Sequence, residues 1–243
     1  MCWLQRLLKN IFMLMRSGET MKTIAHIYTD FPEKFGIPRQ SGLVDALQGR
    51  IVFEPEYRNP DALRGLSEFS HLWLIWDFSE AHVERWSPTV RPPRLGGNKR
   101  MGVFATRSPF RPNPIGLSSV RLLGVEQDPI QGPVLLVSGA DLMDQTPIYD
   151  IKPYLPYTDC HLDALGGFTD PLADRTLEVE FPEGLLQLIP VEKRDALLAI
   201  LAQDPRPSYQ KDPERVYGVS FAQFDIRFTV KSSKLTVFQV ELL

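Results

Sequence analysis

RPPRLGGNKRMGVFATRSPFRPNPIG, Arg91 to Gly116, interleaves five prolines and four glycines with Arg91, Arg94, Lys99, Arg100, Arg107 and Arg111. Proline lacks the backbone donor that a helix needs and holds the preceding residue away from helical dihedrals, so no helix runs through this stretch. Only Met101 to Thr106, MGVFAT, carries the β-branched and aromatic residues that suit a pleated strand. The rest reads as ordered loop, stiffened by proline and presenting guanidinium groups. A second stretch, DLMDQTPIYDIKPYLPY at Asp141 to Tyr157, reads as a lid over that ligand-binding floor.

Outward from there the chain breaks into short strands. Lys22 to Tyr28 alternates as a strand should, and Gly49 to Pro55, Ile115 to Val125 and Pro133 to Gly139 are further candidates. Phe69 to Phe78, FSHLWLIWDF, is apolar enough to predict a strand buried on both faces. Between them, Asn59 to Leu66 reads as a helical turn with Asn59 as cap and Pro60 at its first position. Short strands, proline and glycine turns and few helices predict a mainly β fold, a small closed or nearly closed β-barrel.

The pattern changes near Gly167. Pro190 to Gln203 spaces Val191, Ala196, Leu197, Ile200 and Leu201 as a helix would, and Asp204-Pro205 ends it. Tyr217 to Val230 and Leu235 to Val240 read as one antiparallel pair around a turn from Lys231 to Lys234. The expected organisation is an N-terminal extension over 1–21, a barrel over 22–166 and a small α+β C-terminal domain over 167–243.

Composition narrows the class. A chain of 243 residues, 43% of them hydrophobic, buries a full core. No run approaches the roughly 18 apolar residues of a membrane span, so no membrane partner is expected. Cys2 and Cys160 are too few for a disulfide framework, which fits a reducing cytoplasm. Cys160-His161 has no partners at metal-site spacing, so no metal is expected. Residues 1–20 are basic and hydrophobic, but their apolar run Ile11 to Met15 is short and no small-residue cleavage site follows. With Met13, Met15 and Met21 close behind, translation is expected to start near Met21, leaving those residues as upstream translation or a peripheral helix. Neither a GxGxxG after a strand nor a Walker lysine motif occurs, which excludes a Rossmann-type cofactor domain.

The charge is unevenly placed. From Trp86 to Val125 there is no Asp or Glu, and the six cations of the opening stretch are joined by Arg121. That window is +7; outside it 20 basic residues face 30 acidic ones, a balance of −10 within a net charge of −3. A basic patch attracts phosphate even on a mildly acidic protein, because charges within a Debye length dominate.

Several motifs share one source. PRQ at Pro38 to Gln40, FSHLW at Phe69 to Trp73, RPPRLGG at Arg91 to Gly97, GVFATRSPFRPNPIG at Gly102 to Gly116 and the Asp141 to Tyr157 stretch resemble the TrmO family, also called TsaA-like or YaeB-like. AQDPRPSY at Ala202 to Tyr209 is similar to its bacterial branch, and the resemblance runs from about Lys22 to the C-terminus. It implies an all-β S-adenosylmethionine-dependent methyltransferase, a homodimer that methylates N6 of threonylcarbamoyladenosine beside the anticodon of threonine tRNA.

Position by position, the resemblance implies a cofactor site built from Pro38, Arg39, Gln40, Ser79, Glu80, Arg107, Leu117, Asp141, Leu142, Met143 and Asp144. The chain departs from the family at Ser79-Glu80, where a His-containing pair is frequent, and at Gln145, where glycine is frequent. Arg39 or Arg107 suits the methionine carboxylate, and Asp141 or Asp144 the ribose or amino group. The N6 lone pair is delocalised into the carbamoyl carbonyl, so a proton acceptor would assist attack; Asp144, His71 and Tyr157 are the candidates. His71 suits a hydrogen-bonded structural role better than a catalytic one. For the substrate's threonyl carboxylate, Arg91, Arg94, Arg111 and Lys152 are the nearest cations in sequence. Asp204, Pro205, Arg206 and Tyr209 either orient RNA, close the site, or form a rigid helix-to-strand connection. Two other classes keep part of this pattern: a non-catalytic S-adenosylmethionine-binding regulator and a plain RNA-binding protein.

Overall fold

The computed structural model describes residues 21–95, 99–172, 176–206, 210 and 212–243. Residues 1–20 of the expected extension over 1–21, with Cys2, Met13 and Met15, and also Tyr209 lie outside the described residues, as does the side chain of Arg94.

The strands are β1 (Ala25–Tyr28), β2 (Gln48–Phe53), β3 (His71–Asp77), β4 (Thr89–Val90), β5 (Met101–Gly102), β6 (Ile115–Asp128), β7 (Gly132–Ser138), β8 (Thr146–Pro153), β9 (Glu178–Glu180), β10 (Tyr217–Phe221), β11 (Phe224–Lys231) and β12 (Lys234–Leu242). Six of them hydrogen-bond in an unbroken ring, β1-β2-β7-β6-β3-β8 and back to β1, which makes a closed barrel. Every pairing in the ring is antiparallel. Successive residues of a strand face opposite ways, so each strand sends one set inward: Ala25 and Ile27, Ile51 and Phe53, Leu72, Leu74 and Trp76, Leu135 and Val137 fill the interior.

This geometry corrects three sequence expectations. Phe69 to Phe78 is buried on one face only, because a closed barrel has one inside; His71, Trp73, Ile75 and Asp77 point outward and are half-buried. Asp141 to Tyr157 is not a lid: Thr146–Pro153 is β8, the strand between β1 and β3 that closes the ring. Met101 to Thr106 is a strand for two residues only, since Val103–Ala105 tightens into a 3-10 turn with Thr106 N–H bonded back to Val103 O. The Asn59 turn forms as expected, its side chain accepting from Asp61 N–H at 3.0 Å.

The C-terminal part packs the helix Val191–Ala202 on a sheet of order β10-β11-β12-β9. Ala196, Leu197, Ile200 and Leu201 are its buried face; Val191 is exposed, one turn too early to reach the sheet. Tyr217 to Val230 is a hairpin rather than one strand, and β9 joins β12 in parallel. This core also takes in Phe31, Val44 and Leu47 from the β1–β2 connection. Phe31 lies 5.5 Å from Phe221 ring to ring, and Ala222 N–H bonds Asp30 O at 3.0 Å. Gly36, at φ 96, lies so close to Val219 that a Cβ there would come within 2.1 Å of it. The connection between β1 and β2 is therefore held by two cores at once.

Alternating strand direction also fixes where the loops emerge. β1, β3 and β7 end, and β2, β6 and β8 begin, at the same mouth of the barrel. The three connections 29–47, 78–114 and 139–145 meet there.

Candidate functional site

These connections surround a cleft of about 830 Å³ that runs from the mouth onto the outer face of β3 and β6. That is the size of a site for a small organic ligand. Its inner wall starts with Trp76. Gly116 faces this ring across the β3–β6 pair, and a Cβ at Gly116 would fall 2.1 Å from the indole, so only glycine lets the ring lie there. Phe78 packs against it with centroids 4.2 Å apart.

A buried polar chain leads from the barrel interior into the cleft. Trp76 Nε1–H donates to Ser118 Oγ at 3.0 Å, and Ser118 Oγ–H donates to Asp141 Oδ1 at 2.6 Å. Ser118 is buried because it falls on the inward register of β6, between Gly116 and Val120. Burial raises the proton affinity of Asp141; the Ser118 hydrogen bond and the Arg107 charge oppose this but do not outweigh it.

Among the described residues, Arg107, Arg111 and Lys34 are held by neutral acceptors. Arg107 donates to the side-chain oxygen of Gln40, whose amide donates to Arg39 O. Arg111 donates to Thr106 O at 3.1 Å, and Lys34 to Glu80 O at 3.0 Å. Arg39 reaches the C-terminal part, donating to Asp204 O at 3.3 Å and Arg206 O at 3.0 Å. Arg206 is itself paired with Asp204 at 2.8 Å, so these residues form a braced turn under the Pro38–Gln40 segment. At the rim, both oxygens of Asp77 lie 2.9 Å from His82 Nε2.

Of the residues expected at a cofactor site, Pro38, Arg39, Gln40, Ser79, Glu80, Arg107, Leu117, Asp141 and Met143 line this one cleft. Leu142 does not; it is buried in the barrel core. Asp144 stands beside the cleft as a brace, Oδ1 accepting from Thr29 N–H at 3.0 Å while its own N–H bonds Phe31 O at 2.8 Å. Arg111 lines the cleft and Arg91 does not. Lys152 pairs with Asp150 at 2.7 Å, outside the lining. His71 is two residues beyond Trp73 on the outer face of β3, 2.9 Å from Ser70 Oγ and against the Tyr154 ring. Tyr157 is exposed on the short helix Pro156–Asp159 that follows β8. Sequence reasoning passed over Lys34, Trp76, Asp77, Phe104, Phe110 and Ser118. A serine on the inward register of an apolar strand was the one legible signal among them.

The chain matches the family model of the tRNA-methyltransferase O N-terminal domain over residues 26–160 and that of the TrmO C-terminal domain over 174–243. It is 43% identical to the tRNA (adenine(37)-N6)-methyltransferase of Escherichia coli, covering 93% of this chain and 99% of that one. It is 42% identical to a Pseudomonas aeruginosa protein provisionally named an S-adenosylmethionine-dependent methyltransferase, over 86% of this chain and 91% of that one. The crystal structure of TrmO from Pseudomonas aeruginosa superposes with a TM-score of 0.71 at 36% identity, over 91% of this chain and 98% of that one.

Proposed function

The chain belongs to the tRNA-methyltransferase O family of S-adenosylmethionine-dependent tRNA methyltransferases, and we propose that its substrate is N6-threonylcarbamoyladenosine beside the anticodon of threonine tRNA. The observation that carries this reading is the half-buried, poorly solvated Asp141 carboxylate inside a cleft that also presents Arg107, Arg111 and the rings of Trp76 and Phe78. A buried carboxylate of raised proton affinity is destabilised until a positive group meets it. The donor set therefore fits S-adenosylmethionine: Asp141 for its positive end, Arg107 for its carboxylate, Trp76 and Phe78 for apolar contact. When bound, this cofactor supplies a methyl group activated by its sulfonium.

The work of the chain is positioning. Gln40 orients Arg107, Ser118 orients Asp141, and Arg39 ties the Pro38–Gln40 segment to the C-terminal turn. Asp144 acts in the same way, by fixing the 139–145 connection to the 29–47 connection. Holding donor and acceptor in line lowers the barrier by removing orientational freedom before the reaction. Arg111, which lines the cleft with no carboxylate partner among the described residues, receives the threonyl carboxylate. We also take the working unit to be a homodimer, which sedimentation of the free protein tests.

Incubation with S-adenosylmethionine and fully modified threonine tRNA, followed by nucleoside mass spectrometry, is the direct test. A gain of one methyl on the modified adenosine is expected; no gain overturns the proposal. Arg111→Ala is expected to weaken tRNA binding while leaving free cofactor binding in place, and equal loss of both would remove Arg111 from this role.

A further inference from the structure

The cleft rim carries aromatic surface that the cofactor reading does not use. Phe104 is 74% and Phe110 51% exposed, and both line the cleft. Trp86 packs against Phe104 with centroids 6.1 Å apart. The rings sit on a tightly bonded loop: Phe110 N–H bonds Ser108 Oγ, Arg111 N–H bonds Pro109 O, and Thr106 Oγ–H bonds Val103 O. They are displayed rather than left over, because a stiff loop keeps them from folding onto the core. Arg107 and Arg111 lie between and beside them with no carboxylate at ion-pair distance among the described residues.

We propose that Phe104 and Phe110 form a ledge on which unpaired bases next to the target adenosine stack. Proteins that read single-stranded RNA splay loop bases onto aromatic rings flanked by cations, and every base offers a π-face to such a ledge. The charge argues against a second copy of the chain as the occupant. A two-fold interface presses a patch against itself, and this window, which holds no acid from Trp86 to Val125, would meet like charge with like charge. A polyanion meets the opposite sign.

This inference rests on the reading of the cleft as a tRNA-modifying site, and the test separates the two. The full chain and its Phe104→Leu, Phe110→Leu and Phe110→Trp variants are titrated with S-adenosylmethionine and with a threonine anticodon stem-loop carrying the modified adenosine. Leucine keeps the apolarity and loses the π-face, so each Leu variant should bind the stem-loop about tenfold more weakly. Phe110→Trp should bind as well as the parent, and cofactor affinity should stay unchanged throughout. The salt slope of RNA binding should be the same in the Leu variants as in the parent, because they remove no phosphate contact. Leu variants that bind the stem-loop like the parent overturn the ledge while methylation by the parent still stands. Leu variants that dissociate a dimer in sedimentation assign the surface to a protein contact and overturn it equally.

Discussion

Two segments that face each other across the cleft are built on opposite plans. The 29–47 connection buries Phe31, Val44 and Leu47 in the C-terminal core, hangs Thr29 on Asp144, and bonds Asp30 to both Ala222 and Lys193. The 103–117 segment buries Val103 but leaves Phe104, Phe110 and Leu117 more than half exposed. Both are rigid, for different reasons. The first is held by packing from two cores; the second by proline, by side-chain turns and by its end in a barrel strand. The difference matches the proposed roles: the 29–47 side is preorganised by burial, and the 103–117 side, proposed to meet the RNA, keeps its apolar surface unspent.

The largest effect that tests this contrast is Phe31→Ala. Removing a fully buried ring costs about 3–5 kcal/mol, and because Phe31 anchors the segment bearing Pro38–Gln40, cofactor affinity should fall with stability. Phe110→Ala should change stability by less than about 0.5 kcal/mol, as exposed substitutions do. Urea unfolding of both variants, alongside cofactor titration, measures the contrast directly. Comparable losses in the two would erase it.

Next in size is Ser118→Ala. It leaves the buried indole N–H of Trp76 without its partner and takes one hydrogen bond from Asp141, at a cost of about 1–3 kcal/mol. It should also raise the proton affinity of Asp141 further, because the hydrogen bond that favours the carboxylate is gone. A shift of the activity profile to higher pH distinguishes this from simple destabilisation.

Asp141→Asn should act on stability in the opposite direction. Burial raises the proton affinity of Asp141 above that of an unfolded carboxylate, near pH 3.9, so the folded protein holds a proton that the unfolded chain releases. The stability that this group contributes is complete below that pH and is lost as pH rises through its folded value. Asparagine does not ionise. The variant should therefore gain thermal stability over the parent as pH climbs through that window and keep the gain at neutral pH without cofactor, while losing methyl transfer. Thermal melts of both proteins from pH 4 to 8 measure it, and parallel curves would show that Asp141 is not the strained group.

The same contrast explains what the sequence disclosed. The apolar strands, the helix Val191–Ala202 and the cleft-lining motifs were legible because their patterns are local. β8 was not: it carries Tyr149, Asp150 and Lys152 outward, and its strand character comes from being wedged between β1 and β3. The β10–β11 hairpin was hidden because its turn residues, Ala222 at φ 47 and Gln223 at φ 72, hold left-handed dihedrals without the Asn-Gly pair that usually marks them. Nor could spacing reveal that Arg39, while lining the cleft, would bond the carbonyls of Asp204 and Arg206, since those partners lie far along the chain. Ser118 and Trp76 are adjacent only through the β3–β6 register.

The smallest expected effect concerns Gln145, which takes φ 61 in the 139–145 connection. A left-handed backbone costs a non-glycine residue about 1–2 kcal/mol, and glycine returns about 0.5–1 of that through the greater freedom of its unfolded chain. Gln145→Gly should therefore stabilise the protein by roughly 0.5 kcal/mol, readable as a small rise in the urea midpoint at constant slope. The strain persists because the flanking bonds over-determine the turn: Asp144 N–H to Phe31 O, Thr146 N–H to Met143 O and Thr29 N–H to Asp144 Oδ1. If the segment is pinned as firmly as those bonds imply, relieving the strain leaves Asp141 where it was, and cofactor affinity does not change. A stabilised variant with weaker cofactor binding would mean that the left-handed residue itself sets the position of Asp141, and that the rigidity of this side of the cleft is partly stored in the backbone rather than supplied by packing alone.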